Sequence, residues 1–247
     1  MSLLINDTQN ATCTLQLNRP DKLNALNREM YALLTDGIDG ANKDVSVKTI
    51  VIKGTPDIFT AGNDLKDFAE AVREGGTFDA PFSLMRAMLN CEKPIVASVD
   101  GPAIGIGTTM LFHCDLVYAS PGARFQTPFT DLGVCPEFAS SETFPAVLGS
   151  HKAAQMLLLG EPMSAEDGER FGLVNKLVES NSLDETVSKV AAKLAAKPDD
   201  SMRTSRKLLN ARNKNYQEII DREAEQFGRL MGSDEFMQKL ENFLNKK

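Results

Sequence analysis

Lys93-Pro94-Ile95-Val96-Ala97-Ser98-Val99-Asp100-Gly101-Pro102-Ala103-Ile104-Gly105-Ile106-Gly107 is the stretch on which the fold turns. Its first half is a short apolar run opened by proline and rich in β-branched residues, the pattern of a strand covered on both faces. Its second half brings Gly101, Gly105 and Gly107 close together, and glycine lets the backbone take positive φ or approach a ligand closely. From Gly105 the pattern becomes helical, to about Phe112. A second unit of the same kind lies upstream. Lys48–Lys53 contains Thr49-Ile50-Val51-Ile52, and after the turn Gly54-Thr55-Pro56-Asp57 the chain enters Thr60-Ala61-Gly62-Asn63-Asp64-Leu65, with a helix from Leu65. A strand that breaks at glycine leaves N–H groups without ladder partners. Two such turns, brought together, can aim two N–H groups at one oxygen and stabilise negative charge as it develops there. Ordinary strand-to-helix turns of an α/β domain carry the same local chemistry, so both readings stand at this level.

The remaining pattern extends this alternation. Thr12–Asn18 alternates in polarity like a half-buried strand, and Asn27 is placed to cap a helix reaching about Ala41, with Met30, Leu33, Leu34 and Ile38 on one face. Gly75-Gly76 predicts a mobile stretch, Leu84–Asn90 a helix, and Leu116–Ala119 and Arg124–Thr127 short strands. After Gly133 the chain turns helical near Ser141–Leu148, Lys152–Leu159, Ala165–Phe171 and Leu183–Ala196, and Pro198 breaks it. Amphipathic stretches follow at Ser201–Arg212, Tyr216–Met231 and Asp234–Leu244. The expectation is an α/β core over residues 1–197 and a helical region over residues 198–247.

The 247 residues carry a net charge of −7 and show no basic stripe, which argues against nucleic acid as a partner. Residues 1–197 hold 17 basic and 25 acidic side chains and residues 198–247 hold 10 and 9, so an anionic ligand is better placed toward the C-terminal segment. Met1-Ser-Leu-Leu-Ile-Asn-Asp lacks the basic and apolar regions of a secretory signal, no run approaches the length of a membrane span, and the terminal Asn245-Lys246-Lys247 is not a peroxisomal address. A cytoplasmic protein is expected. Cys13, Cys91, Cys114 and Cys135 fall at no zinc or redox spacing and read as free thiols.

Elimination narrows the chemistry. Of the two histidines, His113 closes an apolar helical run and His151 starts a surface helix; no G-x-S-x-G, dinucleotide or P-loop motif occurs, and no cluster has metal-ligand spacing. What remains is Glu137, in Leu132-Gly133-Val134-Cys135-Pro136-Glu137-Phe138, with Phe129, Phe138 and Phe144 near it in sequence. A carboxyl among apolar neighbours loses hydration, and its pKa rises toward the range useful to a general base. An exposed loop glutamate beside a proline would look the same.

Three motifs in order resemble those of the crotonase (enoyl-CoA hydratase/isomerase) superfamily. Arg19-Pro20-Asp21-Lys22-Leu23-Asn24-Ala25-Leu26 is similar to its first CoA-binding turn, Phe59–Leu65 to its first oxyanion-hole turn, and Lys93–Gly107 to its second. The resemblance covers essentially the whole chain. It implies stacked ββα turns forming a spiral, a helical C-terminal region that builds homotrimers or dimers of trimers, and an acyl-CoA thioester as substrate, with no cofactor and no metal. It implies that the N–H groups of Asn63 and Ile106 hold the thioester oxygen. It also implies that Lys22, Ala25, Ala61, Gly62, Asp64, Leu65, Lys66 and Gly105 line the substrate site. Phe236 and Lys239 have the spacing of C-terminal helix residues that contact CoA in relatives, or of an ordinary amphipathic helix.

Two departures set the subgroup. The family's hydratases hold water with two glutamates, whose positions are here Thr109 and Phe129. Glu137 instead matches the single glutamate of the Δ3,Δ2-enoyl-CoA isomerases, the peroxisomal type above all. The resemblance therefore implies one-base proton transfer from C2 to C4 of a 3-enoyl-CoA. The rivals are hydration, decarboxylation or thioester hydrolysis of another acyl-CoA, and a non-catalytic acyl-CoA-binding protein on the same scaffold. Asp64 is expected to shape its turn rather than to titrate in the reaction.

Overall fold

The computed structural model describes residues 2–73, 79–210 and 215–245. The expected mobile stretch at Gly75-Gly76 lies outside them, as do Arg212 and the terminal lysines. The chain opens with a hairpin of β1 (Leu4–Gln9) and β2 (Thr12–Leu17), joined by Asn10 and Ala11, both at positive φ. These are the backbone angles a two-residue hairpin turn requires. After a 3-10 turn at Pro20–Lys22 comes α1 (Arg28–Lys43), whose first turn is capped by the Asn27 side chain accepting from Met30 N. Then β3 (Thr49–Lys53), α2 (Leu65–Arg73), α3 (Asp79–Asn90), β4 (Ile95–Val99), β5 (Pro102–Ile104) and α4 (Ile106–Thr109) follow. The expected helix from Gly105 is thus a single α turn that tightens into a 3-10 turn over Met110–His113. Next come β6 (Leu116–Ala119), β7 (Arg124–Gln126), α5 (Ser140–Leu148), α6 (Ser150–Leu159), β8 (Met163–Ser164), α7 (Ala165–Phe171), β9 (Lys176–Leu177) and α8 (Ser180–Ala195). Finally α9 (Asp199–Leu209), α10 (Tyr216–Met231) and α11 (Asp234–Asn245) end the described chain.

The strands sort into two stacks. One sheet runs β1-β2-β3-β4-β6-β9 and is parallel from β2 onward; the other runs β5-β7-β8. Parallel bridges Leu26↔Asn63 and Thr60↔Ala103 continue the smaller stack beneath the earlier turns. Each turn of the chain therefore lays one segment on the large sheet and the next on the small one before a helix returns it. These are the stacked turns that the resemblance implied.

Both faces of the large sheet are covered. Alternation along β3 and β4 sends Ile50, Ile52, Ile95, Ala97 and Val99 into the main core with α1 and α3. Val51 and Val96 go to the opposite face, under Leu183, Val187 and Ala191 of α8. That double coverage is why these strands read as unbroken apolar runs, and each fully buried branched side chain contributes about 1.5–3 kcal/mol. The last helices join the same packing: Ile219, Ile220, Phe236 and Leu240 belong to the main core. Arg206 of α9 is buried against Asp115 at 2.8 Å and against the Cys91 carbonyl. No helix among the described residues is long and apolar enough to cross a membrane.

Candidate active site

Strand register brings the two glycine turns together. Thr60 N donates to Pro102 O (3.1 Å) and Ile104 N donates to Thr60 O (3.0 Å), so Thr60 pairs with Ala103. β5 ends at Ile104 and Gly62 lies against Ile104 and Gly105, so Asn63 and Ile106 each follow directly on the closest approach of the two turns. Gly62 makes the approach possible. Its φ is +83°, and a Cβ there would sit 2.7 Å from Ile104 O. The bridge to Leu26 uses Gly62 O and Asp64 N, so Asn63 directs its own N–H away from Leu26. Gly105 gives its N–H to Gln126 O at 2.8 Å, which leaves Ile106 as the first residue of α4, where a helix offers its N–H no acceptor. Among the described residues neither the Asn63 nor the Ile106 N–H meets an acceptor.

The first turn is braced from behind. Buried Asn24 donates to Ile58 O and Phe59 O, and Thr60 Oγ1 donates to Asn24 O at 2.7 Å while accepting from Gly62 N. Tyr31, buried on α1, donates its hydroxyl to Asn63 Oδ1. Asp64 pairs with Arg19 at 2.7 Å and accepts from the N–H groups of Lys66 and Asp67. Partial burial would push the Asp64 pKa up, but the Arg19 and backbone donors outweigh it and hold it below the usual value. Asp64 thus shapes the turn through the backbone of the following helix.

Glu137 is 8% exposed, and Thr109 Oγ1 donates to its Oε1 at 2.8 Å. Burial raises its pKa from the ordinary 4.5 to about 8; the Thr109 bond opposes this and the Glu223 charge adds to it. The phenylalanines that share its cavity are not all near it in sequence. Phe144 stacks on Phe112 at 4.0 Å and Phe129 lines another cavity, whereas Phe82, Phe138 and Phe227 share a cavity with Glu137. Nearness along a loop does not survive its turns, and only Phe138 of the expected three faces the same space. The raised pKa has a stability consequence. Between about 4.5 and about 8 the folded chain holds a proton that the unfolded chain has released, so Glu137 lowers stability as pH rises. Glu137→Gln removes this slope. Relative to the native chain it should melt higher at pH 9 than at pH 6, by the equivalent of about 2–3 kcal/mol; parallel melting curves at the two pH values would refute the buried carboxyl.

Two cavities meet at these groups. The larger, about 1440 Å³, is lined by Lys22, Ala25, Ala61, Gly62, Asp64, Leu65, Lys66, Gly105, Phe236 and Lys239, with Arg19 and Phe129 among others. The smaller, about 300 Å³, is lined by Glu137, Pro81, Phe82, Phe138 and the α10 residues Ile220, Ala224 and Gly228. Asn63 and Phe227 belong to both walls. A long polar ligand held in the first cavity would present its end to the second, between the two N–H groups and the carboxyl. Ile106 is fully buried and lines neither cavity; Gly105, just before it, lines the larger one.

Tyr31 and Glu223 escaped the sequence reading. Tyr31 looks like one more core position of an amphipathic helix, and Glu223 like one of many acidic residues in a solvated one. His113 is settled as structural: it is stacked on Phe138 at 4.0 Å, bonded to the Phe138 carbonyl, and pushed by burial to a pKa of about 4.

Residues 7–247 match the family described as Enoyl-CoA hydratase/isomerase. The chain is 34% identical over 254 residues to human "Enoyl-CoA delta isomerase 2", an alignment covering 99% of this chain and 64% of that protein. It therefore spans less than two thirds of that relative's length. It is 31% identical to "Crotonyl-CoA hydratase" of Syntrophomonas wolfei, over 99% of this chain and 95% of the other. A crystal structure of an enoyl-CoA hydratase/isomerase from Pseudoalteromonas atlantica superposes with a TM-score of 0.93 at 37% identity, covering 100% of this chain and 98% of that one.

Proposed function

The chain belongs to the enoyl-CoA hydratase/isomerase family, and within it we propose that it moves the double bond of a 3-enoyl-CoA to the 2-position with Glu137 as its only base. One observation carries this reading. Glu137 is a buried carboxyl that meets the smaller cavity with an oxygen to spare, since Oε1 takes the Thr109 hydroxyl and Oε2 meets no donor among the described residues. The CoA portion lies in the larger cavity, near Lys22, Lys66 and Lys239. The thioester oxygen sits between the N–H groups of Asn63 and Ile106. Ionised Glu137 takes a proton from C2, the two N–H groups stabilise the dienolate, and the protonated carboxyl returns a proton at C4. No step calls for a cofactor or metal. A donor of this kind is worth about 2.7–4 kcal/mol in the transition state.

Hydration is the second reading, because hydratases stand among the relatives. It needs a carboxylate-held water, and the two positions that would supply one carry Thr109 and Phe129, both buried. Product analysis by NMR from 3-hexenoyl-CoA in deuterated water separates the cases. Isomerisation with deuterium entering at the transferred positions is expected, together with crotonyl-CoA hydration slower than isomerisation; the reverse order would overturn the proposal. A non-catalytic acyl-CoA binder would give neither product.

We also propose assembly as a homotrimer or dimer of trimers. Leu158 and Leu159 of α6 and Leu208 and Leu209 of α9 are each more than 60% exposed on the single chain, apolar surface suited to cover by further copies. Light scattering at micromolar concentration should report three or six copies; a monomer would exclude both.

A further inference from the structure

Glu137 is followed by Phe138 and Ala139, both at φ +56°, in the left-handed region that non-glycine residues avoid. Ala139 then occupies the N-cap of α5, where a polar side chain normally accepts a first-turn N–H; alanine has no acceptor to offer. The missing acceptor comes from α10. Glu223 Oε2 accepts from Ala139 N at 2.6 Å, and its Oε1 accepts from Ser141 N at 3.0 Å and from Ser141 Oγ at 2.5 Å. Cys135 Sγ adds a contact of 3.8 Å to Glu223 O. Two N–H groups and a hydroxyl from the segment just past Glu137 thus converge on one side chain of a different element.

We propose that Glu223 is a positioning residue for Glu137, a carboxylate clamp that caps α5 from α10 and holds the left-handed turn aiming Glu137 into the smaller cavity. This rests on the reading of Glu137 as base. Glu223 is not a second base, because both its oxygens are committed to donors. It acts through geometry, and its negative charge also disfavours ionisation of Glu137. The other titratable and charged groups around the pair leave it that role. Tyr31 from α1 is neutral, with a pKa raised well above its ordinary value. His113 is held neutral by burial, and the Cys135 thiol is raised by burial. Asp79 lines the same cavity from α3. Burial pushes the Glu223 carboxyl above its ordinary value, opposed by its Ser141 and Ala139 donors and, on α10 itself, by the charge of Arg222.

The test compares Glu223→Ala, Glu223→Gln and Glu137→Gln, measuring kcat, KM and the pH profile of kcat/KM on 3-hexenoyl-CoA, with melting temperature alongside. Loss of the clamp lets the base drift, and misplacement of a reacting group by about 1 Å costs about 10²-fold. Glu223→Ala should therefore lose about that factor in kcat with KM within a few-fold. Glu223→Gln keeps an acceptor and should lose less. In both, the acid limb should move to lower pH, because the like charge is gone. A merely structural residue would lower the melting temperature and leave the limb and the kcat-to-KM split unmoved, which overturns the proposal. Should the alanine variant fail to fold, the glutamine variant decides alone: an unmoved limb at native kcat refutes the clamp. Near-native turnover by Glu137→Gln would overturn the base assignment itself. An inactive Glu137→Gln beside native Glu223 variants would overturn the clamp and leave the base standing.

Discussion

Glu137→Gln should lower kcat for 3-enoyl-CoA isomerisation by about 10²–10⁴-fold, the usual contribution of a general acid–base group. Ligand affinity should stay within a few-fold, because the amide fills the same volume and the proposed seat of the CoA portion is the other cavity. The pH profile supplies the sign. The base works only when ionised, and its pKa in the folded chain lies near 8. Native kcat/KM should therefore climb as pH rises through that region and level off above it. The variant has no carboxyl to titrate at this position, so its residual rate should be flat across the same range. A variant that turns over at close to the native rate would remove Glu137 from the mechanism. A native acid limb that persists in the variant would place the titration on another group. Asp64 is a poor substitute, since Arg19 and two backbone donors already keep it ionised.

Gly62→Ala should be nearly as damaging without touching a side chain of the reaction. The residue is held at φ +83°, and the added methyl would meet Ile104 O at 2.7 Å, against backbone that cannot swing aside. Strain of this kind costs about 1–3 kcal/mol in stability. Relief is available only by parting the two turns, which widens the gap between the Asn63 and Ile106 N–H groups. A displacement of about 1 Å at a reacting centre is worth about 10²-fold, and loss of one donor from the oxygen about 2.7–4 kcal/mol. The expectation is a folded protein with a lowered melting temperature and kcat reduced by about 10²-fold or more, measured beside Glu137→Gln on the same substrate. Native kcat in Gly62→Ala would mean that the paired turns do not activate the thioester.

Much of this was legible in the sequence where a single physical cause dominates. The runs Ile50–Ile52 and Ile95–Val99 show as strands because both faces are covered. Asn27 shows as a cap because its side chain does what that position requires. The glycine turns showed themselves because conformations like that of Gly62 admit little else. β1 did not show, since five of its six residues are exposed and four of those, Asn6 to Gln9, are polar enough to pass for a loop. β5 was hidden inside the second glycine turn, where proline and glycine mask a three-residue strand. β8 and β9, two residues each, leave no period to detect. The same division runs through the site. Residues contiguous with the glycine turns could be picked out, and the ten expected to line a substrate site do line one cavity. Tyr31 and Glu223 reach the site from distant helices, and nothing in their local sequence separates them from a core residue and a surface acid. The apolar shell of Glu137 was attributed to Phe129, Phe138 and Phe144 because they are its neighbours in the chain; Phe138 does share its cavity, while Phe129 lines the other one and Phe144 stacks on Phe112.

The pairing of Thr60 with Ala103 has a consequence for how this scaffold can diversify. The two donors it brings side by side are main-chain atoms, present whatever amino acid a codon specifies at positions 63 and 106, proline excepted. The groups that would choose a reaction are side chains at 109, 129 and 137, each open to replacement by a single mutation event. On the proposed reading, activation of the thioester is inherited with the strand register, while the fate of the activated intermediate is left to a few independently variable positions. A lineage built this way can exchange one acyl-CoA reaction for another without passing through a form that has lost its hold on the oxygen.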